Sequence, residues 1–174
     1  MPMMCPPPLA SAPAEVIATI KITGTAPNYS MTASPIPDGI SASYITPDGH
    51  LCFHSFNKPV VVTFIINTRG MVFVDTDAGT PILFSDDPGG VKYPVARGHH
   101  QFQWGVNVLD HHTIISFQYN NDNSCAATSI YGFAVADRNG NNLGVIDPVV
   151  DNGGNQGLSN PPPDGRHHHC PPAH

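Results

Sequence analysis

The stretch His100-Gln-Phe102-Gln-Trp104-Gly-Val106-Asn-Val108, followed within a few residues by Thr113-Ile-Ile-Ser-Phe117-Gln-Tyr119, decides the fold class. In the first run Phe102, Trp104, Val106 and Val108 fall on one face and Gln101, Gln103 and Asn107 on the other. Period-two alternation of this kind is the signature of a strand with one side in a core and the other in water. The second run alternates in the same way, and the turn joining the two is predicted around Leu109-Asp-His-His112.

Outward from this pair the same pattern recurs. Glu15 to Gly24 alternates and predicts a first strand, followed by a loop rich in Pro, Ser and Asp. Ile40 to Ile45 and His50 to Phe56 flank Pro47-Asp-Gly49, a hairpin signal in which Pro fixes φ and Gly takes the left-handed position. Val60-Val-Val-Thr-Phe-Ile-Ile66 is apolar on both faces and predicts a central strand. Shorter strands are expected at Met71 to Asp75 and Pro81 to Phe84, a long one at Ser129 to Asp137 and a last short one at Leu143 to Ile146. About eight or nine strands without a helix predict an all-β fold, an antiparallel β-sandwich of immunoglobulin-like general layout, with a small β-barrel as the alternative.

The 174 residues divide into a Pro-rich arm over 1–14, one domain over 15–154 and a Pro/His-rich tail over 155–174, expected to be disordered. Thirteen acidic against 7 basic residues give a formal charge of -6, and the basic residues are scattered. Nucleic acid is therefore not an expected partner, since binding it requires clustered Lys and Arg. No run approaches the roughly 18 apolar residues that span a bilayer, and Met1 to Pro8 lacks a secretory leader pattern. The expectation is a soluble protein, cytoplasmic or supplied without its signal.

The segment Tyr131-Gly-Phe-Ala-Val-Ala-Asp137, with Asp137-Arg-Asn-Gly140 and Asp147-Pro-Val-Val-Asp-Asn152-Gly-Gly154, resembles the C-terminal end of small bacterial proteins grouped as the DP-EP family. The core from about residue 15 to 154 is similar in layout. The resemblance implies a compact β domain of uncharacterised role and carries no catalytic residues with it.

Ten histidines are the compositional oddity. Imidazole is a common metal ligand, and His50-Leu-Cys52-Phe-His54 is the best local cluster for Zn or Cu. In a regular strand His50 and His54 stand about 13 Å apart, so Cys52 pairs with one of them unless a bulge gathers all three. His99-His100 and His111-His112 bracket one strand and separate by about 35 Å, so they share no site; each pair reads as solvated loop histidines, ahead of a binding site at its own loop rim with Asp110 or Asp122. Arg166-His-His-His-Cys170 is a further tract able to take Ni, Cu or Zn. Asp75-Thr-Asp77 and Asp137-Arg-Asn139-Gly140 echo Ca loops but lack the closing Glu, and read as turns. Cys5, Cys52, Cys125 and Cys170 form no C-x-x-C pair; Cys5 and Cys170, each before two prolines, read as free thiols or as a disulfide joining the tails. There is no G-x-S-x-G and no paired Glu for glycoside chemistry. The residues thus favour a non-enzymatic binding or structural module, self-associating through edge strands and arms, over a metal-binding protein using Cys52 with His50 or His54, and over a hydrolase without motif.

Overall fold

The computed structural model defines residues 15–53, 58–75, 81–85, 107–120, 128–146 and 149–151. Within them the chain forms eleven strands in two sheets, with no α-helix and one short 3-10 helix at Ser41–Ser43. The first sheet runs β2 (Asn28–Pro35), β1 (Glu15–Thr25), β4 (Val60–Ile66), β8 (Ile114–Tyr119), β7 (Asn107–Leu109). The second is built on β9 (Thr128–Asp137). Along one edge of β9 lie β10 (Gly144–Ile146) and β11 (Val149–Asp151), and along the other β5 (Met71–Phe73) and β6 (Ile82–Ser85). β3 (Leu51–Cys52) joins β11.

Both sheets are open, which sets the barrel alternative aside. The expectation of a wholly antiparallel arrangement is corrected: β1 and β4 are parallel, as are β3 and β11. The reason is that β2 turns straight back from β1 and occupies one edge, while the long connection from Pro35 to Val60 returns the chain to enter the other edge in the direction of β1.

β2 lies where a loop was expected. Its residues are mostly small and polar, but Tyr29, Met31 and Ala33 alternate inward as in any half-buried strand. The expected strand at Ile40 to Ile45 is instead the 3-10 turn. Asp38 accounts for this: its Oδ1 accepts the Ile40 and Ser41 N–H groups at 2.9 and 2.8 Å, and its Oδ2 accepts the Ser41 hydroxyl at 3.0 Å. The bond from the Ser41 N–H, then that from Ile40, holds the Asp38 carboxyl below its ordinary value. Of the strand expected from His50 to Phe56, the described residues form strand at Leu51 and Cys52, and residues 54–57 lie outside them. Most of the opening run, residues 100–106 with Trp104, lies outside them too, while its end forms β7. The Pro47-Asp-Gly49 turn is present, with Thr46 and His50 bonded across it at 3.0 Å and Gly49 at φ 85°.

One core joins the sheets. From the first sheet Phe64, fully buried at the middle of β4, stacks on Tyr131 of β9 at 5.8 Å and 4°, and meets Phe133 at 5.8 Å and its own neighbour Phe117 at 6.2 Å. Phe73 of β5 closes edge-on against Phe133 at 5.5 Å. Offset and tilted aromatic pairs of this kind add about 0.5–1.5 kcal/mol each beyond their buried area. At one end Tyr29 brings the sheets together again: its hydroxyl donates to the Asn142 carbonyl at 2.7 Å, and its ring lies where a side chain on Gly144 would sit.

Tyr131 also fixes the 46–49 turn, donating its hydroxyl to the Gly49 carbonyl at 2.7 Å inside the protein. Burial, with a smaller push from the Asp48 carboxylate, raises this phenol well above the ordinary tyrosine range. An acid whose folded value is raised stabilises the fold fully below the unfolded value of about 10 and loses that contribution as pH rises through the folded value. Tyr131→Phe is therefore expected to lower stability by about 1–3 kcal/mol at neutral pH and to shrink the alkaline decline, both read from urea unfolding as a function of pH.

Candidate functional site

The residues singled out by sequence fall in different parts of the fold. His50 closes the 46–49 turn and is nearly buried, its backbone N–H donating to the Thr46 hydroxyl at 3.1 Å. That hydroxyl donates in turn to the Asp48 carboxylate. Cys52 is 2% exposed and disulfide-bonded, its Sγ lying 3.6 Å from the His50 carbonyl oxygen. A zinc or copper site of the expected kind needs a thiolate, so ligation by Cys52 with His50 or His54 requires that bond to be reduced first. His54, the His99-His100 pair, Asp122, the Arg166 to Cys170 tract and the other three cysteines lie outside the described residues. Among the described residues no group of three or more His, Cys, Asp or Glu side chains is placed to hold a metal ion.

His111 and His112 do stand at a loop rim. The β7–β8 hairpin closes at the Leu109 and Ile114 pair, and its loop carries Asp110, His111 and His112 at φ 50°, 55° and 67°. Three successive residues with side chains in the left-handed region are unusual, because Cβ crowds the following carbonyl at about 1–2 kcal/mol each. Two sets of bonds hold them there. The Asp110 carbonyl accepts both the N–H of Thr113 at 3.1 Å and its hydroxyl at 2.7 Å, and the Phe73 N–H donates to the His112 carbonyl at 2.7 Å. This last bond clamps the histidine turn to β5.

Opposite stands the β9–β10 turn. Asp137 builds it, its Oδ1 accepting the Asn139 and Asn141 N–H groups at 2.9 Å each and its Oδ2 the Asn142 amide at 3.0 Å. Gly140, at φ 78°, donates its N–H to the Asp137 carbonyl at 3.0 Å. The predicted turn at Asp137-Arg-Asn-Gly140 is thus confirmed with its mechanism.

Between the two turns lies an open cleft of about 710 Å³. Val72 and Val74 give its lining apolar side chains, while Phe73 between them turns its ring into the core against Phe133; His111, His112, Asp75 and Arg138 supply polar groups. Its size and its mixture of apolar side chains with a few polar groups are those of small-ligand sites. The two imidazoles offer both donors and acceptors, the guanidinium donors only, and Asp75 acceptors. The Asp137 carboxylate is occupied by its own turn. The sequence pointed to His111-His112 and to the turn at 137–140 separately, but β5 is what brings them together, and no spacing along the chain carries that information.

The strain gives a direct prediction. Gly adopts the left-handed region without the Cβ clash, so His111→Gly and His112→Gly are each expected to raise stability by about 1 kcal/mol, measured by urea unfolding. A loss of stability in both variants would show that the imidazoles contribute more to the fold than the turn geometry withdraws from it.

Comparison of the chain with protein-family models and with curated proteins finds no match.

Proposed function

We propose that the protein is a non-enzymatic binding module, its two sheets packed as a β-sandwich of immunoglobulin-like general layout, with the cleft between the histidine turn and the 137–140 turn as its ligand site. The observation that carries this reading is the hydrogen-bonded run of left-handed residues at Asp110, His111 and His112 on the rim of that cleft. Strain in non-glycine residues persists where surrounding structure enforces it, and such positions cluster at binding sites. The polar groups present, without a nucleophile and base in bonded contact among the described residues of the cleft, suit recognition better than bond-breaking.

Two further features belong to the same reading. The resemblance of residues 131–154 to the DP-EP family supports a compact β domain of this type. The disulfide at Cys52 favours an oxidising compartment over the cytoplasm, since such bonds persist mainly outside reducing compartments. No helix among the described residues is long and apolar enough to cross a membrane.

A library of small fragments screened by amide NMR tests the site. Binders are expected to shift residues 72–75, 111–112 and 137–140 together. Hits that scatter over the surface, or a screen without binders, would remove the cleft as the functional site.

A further inference from the structure

We propose that the outer face of the five-stranded sheet is the contact surface of a two-fold dimer of this chain, paired through Glu15 and Lys21. The argument starts from parity along β1. Glu15, Ile17, Thr19 and Lys21 point away from the core, while Val16, Ala18, Ile20 and Ile22 are buried.

The register carries this face across the sheet. Ile17 stands beside Thr63 and Thr63 beside Ser116; Thr19 stands beside Ile65, Ile65 beside Ile114, and Ile114 beside Leu109. The side chains of Ile17, Ile65 and Ile114 are half-buried, and Leu109 is 55% exposed. Among the described side chains that the register places here, Glu15 and Lys21 are the only charged ones, and both are exposed. A small polar and apolar band is therefore bounded along β1 by one acid and one base.

Those two charges are symmetric about Ala18. A two-fold axis lying between stacked sheets and crossing the strands at Ala18, Phe64 and Ile115, which are neighbours in register, sets each strand antiparallel to its own copy. Glu15 of one copy then faces Lys21 of the other, twice, and the row Ile17, Thr63, Ser116 faces the row Thr19, Ile65, Ile114. Face-to-face sheets pack about 10 Å apart, within reach of these two long side chains. A closed two-fold interface has to be self-complementary in this sense, and β1 has the required charge order.

Charge reversal tests the pairing through sedimentation velocity on the full chain. Wild type is expected to be a dimer that loosens with salt. Glu15→Lys alone and Lys21→Glu alone each place like charges opposite one another twice, and each is expected to weaken association by about tenfold or more. The two single variants mixed together should form a heterodimer, and the double swap should restore the homodimer. An unchanged far-UV circular dichroism spectrum of these exposed-site variants shows that the fold is intact. A monomeric wild type overturns the proposal, as do dimers that persist in both single variants or a mixture that fails to associate.

Discussion

Phe64→Ala is expected to lower unfolding stability by about 3–5 kcal/mol, a large share of the 5–15 kcal/mol typical of a single domain. Phe64 is fully buried in the central strand of one sheet, and its ring meets Tyr131 and Phe133 of the other and Phe117 of its own. Removing it takes away transfer free energy and leaves a cavity between two sheets, whose backbones are held by ladder bonds to neighbours on both sides and cannot close the gap. Val145→Ala, at an exposed position of β10, is the comparison and should lose much less. Urea unfolding of both variants gives the answer. Equal losses at the two positions would mean that the aromatic contacts do not unite the sheets.

Breaking the Cys52 disulfide is expected to remove about 2–5 kcal/mol, whether by reductant or by Cys52→Ala. The residue is nearly buried in a strand of only two residues, where it pairs with Asp151 in register and donates its N–H to the Tyr44 carbonyl at 2.9 Å. So short a strand gains little from its own ladder, and a covalent tie there restricts the unfolded chain as well as anchoring the edge of the sheet. Thermal melts with and without reductant measure the effect in the wild type, and Cys52→Ala should be insensitive to reductant through this residue. A wild-type melting temperature unmoved by reduction contradicts the assignment of a structural role to the bond.

Where strands carried large apolar residues, the sequence was readable. Val60 to Ile66, Thr113 to Tyr119 and the strand ending at Asp137 correspond to β4, β8 and β9, and the turns at Pro47-Asp-Gly49 and Asp137 to Gly140 rest on the residue chemistry that announced them. β2 does alternate, Tyr29, Met31 and Ala33 against Ser and Thr, but those small polar residues and the prolines at 27 and 35 gave the segment the composition of a loop. The 3-10 turn at Ser41 was hidden for another reason: Ile40 and Ile45 suggest a strand, and the Asp38 carboxylate, accepting the N–H groups of Ile40 and Ser41, diverts the backbone. The parallel entry of β4 beside β1 depends on a long connection that no local pattern encodes.

The site shows the same division. The pair His111-His112 was visible, and its loop position followed from strand length. The left-handed conformation of the loop was not visible, because it depends on Thr113 bonding back to Asp110 and on the Phe73 N–H reaching across from another strand. Cys52 stood out as a ligand by spacing alone, and its disulfide is a tertiary fact.

The most direct test of the binding reading is the affinity of one fragment, selected on the wild type, for the His111→Gly/His112→Gly double variant, read beside the stability of both proteins. Removing both imidazoles from the rim while relieving the turn is expected to weaken binding by about tenfold or more and to raise stability by about 2 kcal/mol, the trade-off of a strained site retained for function. Unchanged affinity in the double variant would contradict the assignment of ligand binding to the histidine turn.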